Sequence, residues 1–452
     1  MSENHKKRIH PYAEEWPFAA LMSLQFFLII GIFWILKPLK KSIFIQYYDN
    51  RSLTLGGAQF DAAQTELLAK NVNMVLAFLA MLLLVFLVRK YKKQHLISVI
   101  SAMLIMGAAG LLILVPGGQN FAWAFYAYGD VFNMLMLAAF FSFLNDSVST
   151  EQAKRMLGTV VFGGVLGGAI GATSTRGLLG HLSVSQWLLV CAVITVLIAA
   201  LAHVAAGYAA PSNTHKPTLS SATQPLNTFS LKQLIRSKYV IAIAVIAGSY
   251  EMVSTLVDFQ FTSAVSRNLN GDAIGSFFST VYMTVNIVSL SVQVLLTGVI
   301  MTRLGITRAL LVLPVALLFG SMAFLAMPIL LIGAALCIFD NGLNYSINQS
   351  ARESLYVLIP SEAKYKAKAW VDVFINRTAK AVSVNLTLLL SAVLSFRWLA
   401  VVSVCLIVLW IIAAKYAGRQ FDSDESAEFQ WPQNEKRKRL LKKPRLFPTV
   451  PL

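Results

Sequence analysis

The sequence predicts an all-α polytopic membrane protein, with about twelve transmembrane helices in two pseudo-repeated six-helix bundles. Three observations carry that expectation. Of the 452 residues, 57% are hydrophobic and 13% charged, far from the balance of a soluble domain. Apolar runs long enough to cross roughly 30 Å of hydrocarbon recur along the chain. One long polar interruption, residues 209–238, divides them six and six. The runs are too long and too evenly apolar for the alternating strands of a barrel, and lipid offers open backbone groups no partner, so the spans are helices.

The spans centre near residues 26, 80, 105, 132, 168 and 196 in the first half, and near 247, 288, 313, 333, 382 and 405 in the second. Ahead of the first, "MSENHKKRIHPYAEEWPF" is hydrophilic and acidic as well as basic, and no small-residue cleavage pattern follows the apolar run. A cleaved signal or transit peptide is therefore not expected. Lys and Arg collect in alternate connections: Lys6, Lys7 and Arg8, "RKYKK" at 89–93, Lys154 and Arg155, Lys232 to Lys238, Arg303 and Arg308, Lys364 to Lys368, and "KRKRLLKKPR" in the tail. The other connections are almost bare. By the positive-inside rule the basic set is cytoplasmic, both termini are cytoplasmic, and the number of spans is even. The net charge of +17 is thus mostly topology, with contact between the basic tail and anionic lipid headgroups as its further use.

These boundaries give an N-terminal bundle over 1–208, a cytoplasmic linker over 209–238, a C-terminal bundle over 239–420 and a basic cytoplasmic tail over 421–452. Equal halves joined by a cytoplasmic linker place a substrate site between them near the bilayer midplane. This is the architecture of the major facilitator superfamily. "RKYKK" and "TRLGITR" occupy equivalent places in the two halves, as repeats require.

Several chemistries are not supported. Cys191, Cys337 and Cys405 fall inside apolar runs, so neither a disulfide nor a metal site is expected. His181 and His203 are isolated, no ligand set has metal spacing, and no nucleophile constellation is present, so neither a cofactor nor enzymatic activity is expected. The spaced glycines of "GTVVFGGVLGGAIGATSTRGLLG" at 158–180 lie in an apolar span with no strand before it. Close helix packing explains them, not a dinucleotide loop.

Charges inside spans are expensive and therefore functional candidates. Lys37, Lys40 and Lys41 in "WILKPLKKSIF" stand at i, i+3 and i+4 on one helical face, with no acid within a turn. Pro38 removes one intrahelical hydrogen bond there. Either the lysines face a cavity or the helix has reached the interface and they snorkel, the latter reading fitting Lys41 better than Lys40. Asp130 falls in the fourth span, Glu251 and Asp258 in the seventh, Asp340 in the tenth and Asp372 near the start of the eleventh. Buried charges need partners, and Lys40 with Asp130 or Asp258 is the expected pair.

Four stretches resemble the ATP/ADP antiporter family, nucleotide transporters of plastids and obligate intracellular bacteria. In "ILKPLKKSIF", Lys37 and Lys40 match the basic residue and the substrate-contacting lysine of that family's first helix. "GDVFNMLMLAAFFSFLNDSVSTEQAKR" places Asp130, Asn145, Asp146, Lys154 and Arg155 at the family spacing. "TLVDFQFTSAVSRNL" matches through Asp258. "NYSINQSARESLYVLIPSEAKYKAKAWVDVFINRTAKAVS" matches through Tyr345, Ser346, Arg352, Glu353, Tyr356, Pro360, Lys368, Ala369, Asp372 and Lys380. The chain departs from the pattern at Lys41 and Pro38, where acids are usual, at Asn344, and in having aspartate at 130 and 258 where the family has glutamate.

The resemblance implies a distant bacterial member, a secondary transporter of the inner membrane that exchanges nucleotides or another phosphorylated anion by alternating access. It implies substrate binding by Lys37, Lys40, Asp130, Asp258, Arg352 and Lys368. Gating or helix–helix ion pairs are expected of Asp146, Arg155, Glu353, Asp372, Arg377 and Lys380. The expected partners are a small anionic solute and the lipid bilayer, with no nucleic acid, and the working unit is a monomer. Two alternatives stand beside it: a carrier of the same fold for a different organic solute, proton-coupled, and a non-transporting membrane scaffold, against which the intramembrane charges count.

Overall fold

The computed structural model describes residues 11–91, 93–114, 118–148, 150–208, 237–359, 361–395 and 397–424. The termini, most of the linker and the tail basic cluster, with the charges assigned to them above, lie outside the described residues. The first half comprises α1 (Pro11–Tyr47), a hairpin of β1 (Leu53–Leu55) and β2 (Ala58–Phe60), α2 (Ala62–Lys90), α3 (Lys93–Ile113), α4 (Gln119–Ser147), α5 (Thr150–Leu178) and α6 (Val184–Tyr208). The second half comprises α7 (Lys238–Asn268), α8 (Asp272–Thr297), α9 (Ile306–Ala326), α10 (Leu330–Leu358), α11 (residues 361–393) and α12 (Leu399–Asp424).

Among the described residues, eleven helices are long and apolar enough to cross a membrane. The remaining helix, α11, carries Lys364, Lys366, Lys368, Asp372, Arg377 and Lys380 in its first twenty residues and becomes apolar only beyond them. A π-helical stretch, Ala369–Ile375, interrupts it. A second such stretch, Asn344–Asn348, interrupts α10. π segments inside helices recur at functional sites, because the widened turn re-aims the side chains beyond it.

The antiparallel hairpin was not foreseen. Its turn is Gly56-Gly57, with φ of 58° and 86°, the left-handed pair that a two-residue turn demands. Straight after it, Asp61 caps α2: its side chain accepts from the Gln64 N–H, while the Gln64 side chain accepts from the Asp61 N–H. That reciprocal pair fixes the helix start at Ala62.

The glycine-rich α5 packs closely against a neighbouring helix, as expected, and that neighbour is α1. A Cβ at Gly163, Gly167 or Gly171 would collide with the main-chain oxygen of Ser23, Phe27 or Gly31, respectively. Only a bare Cα lets the two backbones approach so closely.

One apolar core is built from α1 to α6 and a second from α7 and α9 to α12. A third joins the halves, bringing Trp34, Phe44 and Tyr48 of α1 against Phe261 of α7 and Phe278 and Tyr282 of α8. Polar contacts reinforce that seam on the face that carries the hairpin: Gln46 Nε2 donates to the Gly271 carbonyl at 2.9 Å, the Gly271 N–H donates to Asp49 at 3.0 Å, and Gln64 Nε2 reaches Ser391 at 3.3 Å. Toward the opposite, basic face, a cleft of 440 Å³ opens between α5 and α8, lined by Leu157, Val161, Phe162, Leu290, Gln293 and Val294. The halves are therefore tied by polar contacts at the hairpin face, with a cleft between them toward the basic face.

Candidate functional site

Helix α1 runs unbroken through Pro38 to Tyr47. Lys41 is thus well inside the span, and at 4% exposure it cannot snorkel to an interface. The lysine face of α1 meets α2, α4, α7 and α10. Lys40 donates to Asp130 of α4, whose other oxygen accepts from Asn73 Nδ2 of α2. Lys41 donates to Asp258 of α7 at 2.6 Å and lies 3.4 Å from Glu66 of α2. Lys70, one turn after Glu66 on the same helix, reaches the other Asp258 oxygen at 2.5 Å and Glu66 at 3.6 Å. Tyr126 donates to Glu66 at 3.0 Å, and its ring lies 4.6 Å from the Lys40 ammonium.

The expected pairing of Lys40 is thus with Asp130, while Asp258 is gripped by Lys41 and Lys70. Lys37 has a different setting. Its ammonium donates to Asn341 Oδ1 of α10 at 3.2 Å and sits 4.5 Å from the Trp34 ring and 5.0 Å from the Tyr282 ring. Amide oxygen and aromatic faces attract a cation without neutralising it. Lys40, Lys41 and Lys70 are thus each paired with a carboxylate, whereas Lys37 makes no ion pair with one. A cation held in this way inside a membrane protein attracts anions.

Exposure separates the pairs. The Asp130 side chain is 42% open, whereas those of Lys41 and Glu66 are 5% and 3% open. Asp130 is the open carboxylate, its partner Lys40 lying mostly buried behind it at 11% side-chain exposure; Lys41 with Glu66 is sealed in the wall.

The remaining expected site residues lie elsewhere. Arg352 is on α10, eleven residues past Asn341, which is about 17 Å along a helix. Its Nε and Nη1 are buried without hydrogen-bond partners. Beside it, Lys368 pairs with Glu353 at 2.6 Å and Tyr356 donates to Asp372 at 3.2 Å. Arg352 and Lys368 are therefore not brought to the α1 lysines; they form a second group toward the basic face, with Glu353 and Asp372. Arg377 and Lys380 are exposed on α11, and Asp146 and Arg155 are exposed at the basic ends of α4 and α5.

Glu66, Lys70, Asn73 and Tyr126 escaped the sequence reading. The first three stand at i, i+4 and i+7 in "ELLAKNVN", one face of α2. The signal was there: the capping pair Asp61 and Gln64 starts the helix early enough to carry Glu66 and Lys70 into the membrane.

Two six-helix halves around a central charged site define a secondary transporter of major facilitator type. Solved structures agree with the fold: a D-xylose–proton symporter superposes with a TM-score of 0.64 at 11% identity, covering 88% of this chain and 96% of that one. A bacterial homologue of the human lysosomal transporter Spinster gives 0.58 at 11% identity, covering 92% and 98%. Within that class the family described as TLC ATP/ADP transporter matches residues 119–331 and 326–421, and the chain belongs to it. ADP,ATP carrier protein 1 of Chlamydia muridarum is 22% identical over 73% of this chain and 70% of its own length. ADP,ATP carrier protein 2 of Chlamydia pneumoniae is 24% identical over 42% of this chain, an alignment that spans 40% of that protein.

Proposed function

We propose that this transporter exchanges nucleotides, or another phosphorylated anion, across a bacterial inner membrane, with its basic face and both termini in the cytoplasm. The observation that carries the reading is Lys37 of the central lysine cluster, held by an amide and aromatic rings and not by a carboxylate. The names of the chlamydial relatives supply the nucleotide. A phosphate entering from the basic face meets Arg352, whose guanidinium has two buried nitrogens unsatisfied, and then Lys37 and Lys40.

Alternating access follows from what the cluster holds together. Asp258 belongs to the second half, and Lys41 and Lys70 belong to the first. These contacts, with the Gln64 to Ser391 bond, keep the hairpin face shut while the basic face is open. An anion that draws on the lysines weakens their hold on Asp258, and the 1–208 bundle can then rock against the 239–420 bundle as a monomeric unit. Charge compensation in the empty site favours exchange, because an anion must displace the carboxylates each time it binds.

The test is counter-transport in proteoliposomes. Labelled ATP should enter faster when the vesicles hold unlabelled ADP or ATP than when they are empty. Equal uptake into empty and loaded vesicles would overturn exchange. Uptake of a neutral solute with no uptake of nucleotides or phosphate esters would overturn the anion.

A further inference from the structure

Asp340 is a central carboxyl that makes no ion pair with any described cation. Asp340 of α10 is 2% exposed. Ser254 Oγ of α7 donates to its Oδ2 at 2.7 Å, and its Oδ1 is buried without any hydrogen-bond partner. Glu66, Asp130 and Asp258 are each held by at least one lysine, so none of them is free to take and release a proton without first breaking an ion pair. Asp340 is. The unpartnered Oδ1 is where a proton would sit, and a buried carboxyl with a single neutral donor is far less costly as the acid than as the anion.

Its surroundings tie it to the anion site. The residue after it, Asn341, holds the Lys37 ammonium. The charged groups that act on the Asp340 carboxyl are Lys37 of α1 and Glu251 and Asp258 of α7. Tyr250 of α7 and Cys337 of α10 also lie within its field. Helices α8 and α9 pack against α10 as well; α8 brings Tyr282 to the site, and α9 has Arg308 in its first turn at the basic face. Lys37 is thus the one nearby cation that would favour the ionised form, and it is also the lysine left for a substrate anion. The π-helical stretch that begins at Asn344 follows directly, one turn after Asp340.

We infer that Asp340 is a proton-binding site linked through Lys37 to the central anion site: it loses its proton when Lys37 is free and gains one when an anion neutralises Lys37. The proton passes from water at the open face to Asp340 Oδ1 and back, so an anion that binds carries a proton in with it. The linkage to a substrate rests on the anion reading of the site, whereas proton binding at Asp340 does not.

Infrared difference spectroscopy on the full chain in liposomes separates the two. Without any solute, a pH titration should show a protonated-carboxyl band that is lost in Asp340→Asn, a variant whose amide oxygen can still accept from Ser254. In Lys37→Gln the band should persist to higher pH, by about a unit or more. A band unchanged by Asp340→Asn overturns the proton site. A band that titrates at the same pH in Lys37→Gln as in the wild type overturns the link to Lys37. Adding ATP at fixed pH should raise the band and take up protons from a lightly buffered medium in the wild type and not in Asp340→Asn. Binding of ATP by calorimetry with no change in band or proton uptake overturns the coupling. Absence of ATP binding with the first two results intact would instead sink the nucleotide reading alone.

Discussion

Lys41 of α1 and Asp258 of α7 lie 2.6 Å apart, and they belong to opposite halves of the chain. Lys70 grips the same carboxylate from α2, so one aspartate of the second half is clamped by two lysines of the first. An ion pair across a moving seam is a lock whose strength depends on burial, because water is excluded from Lys41 on every side.

Releasing that lock should open the hairpin face. Gln64 and Ser391, in contact across the seam in this conformation, offer a reporter: cysteines at the two positions should cross-link readily. Adding Asp258→Asn is expected to cut the yield by about tenfold, the consequence of losing roughly 1.4 kcal/mol of net closure energy. An unchanged yield would mean that the apolar seam of Trp34, Phe44, Phe261 and Phe278 holds the face shut unaided.

The orientation can be settled with single cysteines on a background lacking Cys191, Cys337 and Cys405. Positions Gln119 and Ser183 lie on the hairpin face and Tyr91 and Arg303 on the basic face, all four exposed. In intact cells an impermeant thiol reagent should label the first two and reach the others only after lysis. The opposite pattern would invert the assignment of the open face to the cytoplasm.

What the sequence made legible depended on whether a signal was local. Hydropathy located the long apolar helices, and the i+4 spacing of the α5 glycines announced a close helix contact without naming its partner. The partner of Lys40 could be narrowed to Asp130 or Asp258 because the α1 lysines have no acid within a turn and both aspartates stand in apolar spans. The sequence leaves Lys41 between a cavity and an interface because its fate turns on how far α1 continues past Pro38, a length set by the α2, α4 and α8 surfaces it packs against. Glu66 and Lys70 were lost for the converse reason. They sit in the polar first turns of α2, which a hydropathy window assigns to the loop, while the capping pair and the Gly56-Gly57 turn that fix the helix start are only a few residues long. The gathering of α1, α2, α4 and α7 charges into one cluster is tertiary and has no local signature.

Gly129 illustrates a constraint of that tertiary kind. It precedes Asp130, and a Cβ there would stand 3.0 Å from Lys40 Cδ. Gly129→Ala is expected to fold, because a lysine stem can give by a few tenths of an ångström. The ammonium would nevertheless be displaced from Asp130, and a small shift of a charge-assisted contact weakens it out of proportion. Half-saturation for exchange should therefore rise severalfold while thermal stability stays near wild type. Wild-type exchange kinetics would show that the Lys40 position tolerates more slack than this geometry implies.

The lysines of α1 should fail in different ways. Lys40→Ala leaves Asp130, which is 42% open and still accepts from Asn73, so the stranded carboxylate can be hydrated and the protein should fold with little loss of melting temperature. Its transport should nevertheless be abolished or severely reduced, since the cation paired with the open Asp130 is gone. Lys40→Arg should restore only part of it, because a planar fork cannot occupy the place of a compact ammonium between Asp130 and the Tyr126 ring. Lys41→Ala strands a different acid. Glu66 is 3% open, and its remaining cation, Lys70, lies 3.6 Å away and is shared with Asp258. Removing one partner of a sealed pair costs about 3–5 kcal/mol, so this variant should lose several degrees of melting temperature and much of its folded yield. Lys41→Met with Glu66→Gln should recover the stability, since neither buried charge is then left alone, while the grip on Asp258 passes to Lys70. Melting curves and exchange rates measured on the same preparations decide the matter. A Lys40→Ala protein that transports at the wild-type rate would remove Lys40 from the substrate path, and a Lys41→Ala protein as stable as the wild type would show that the wall around Glu66 admits water.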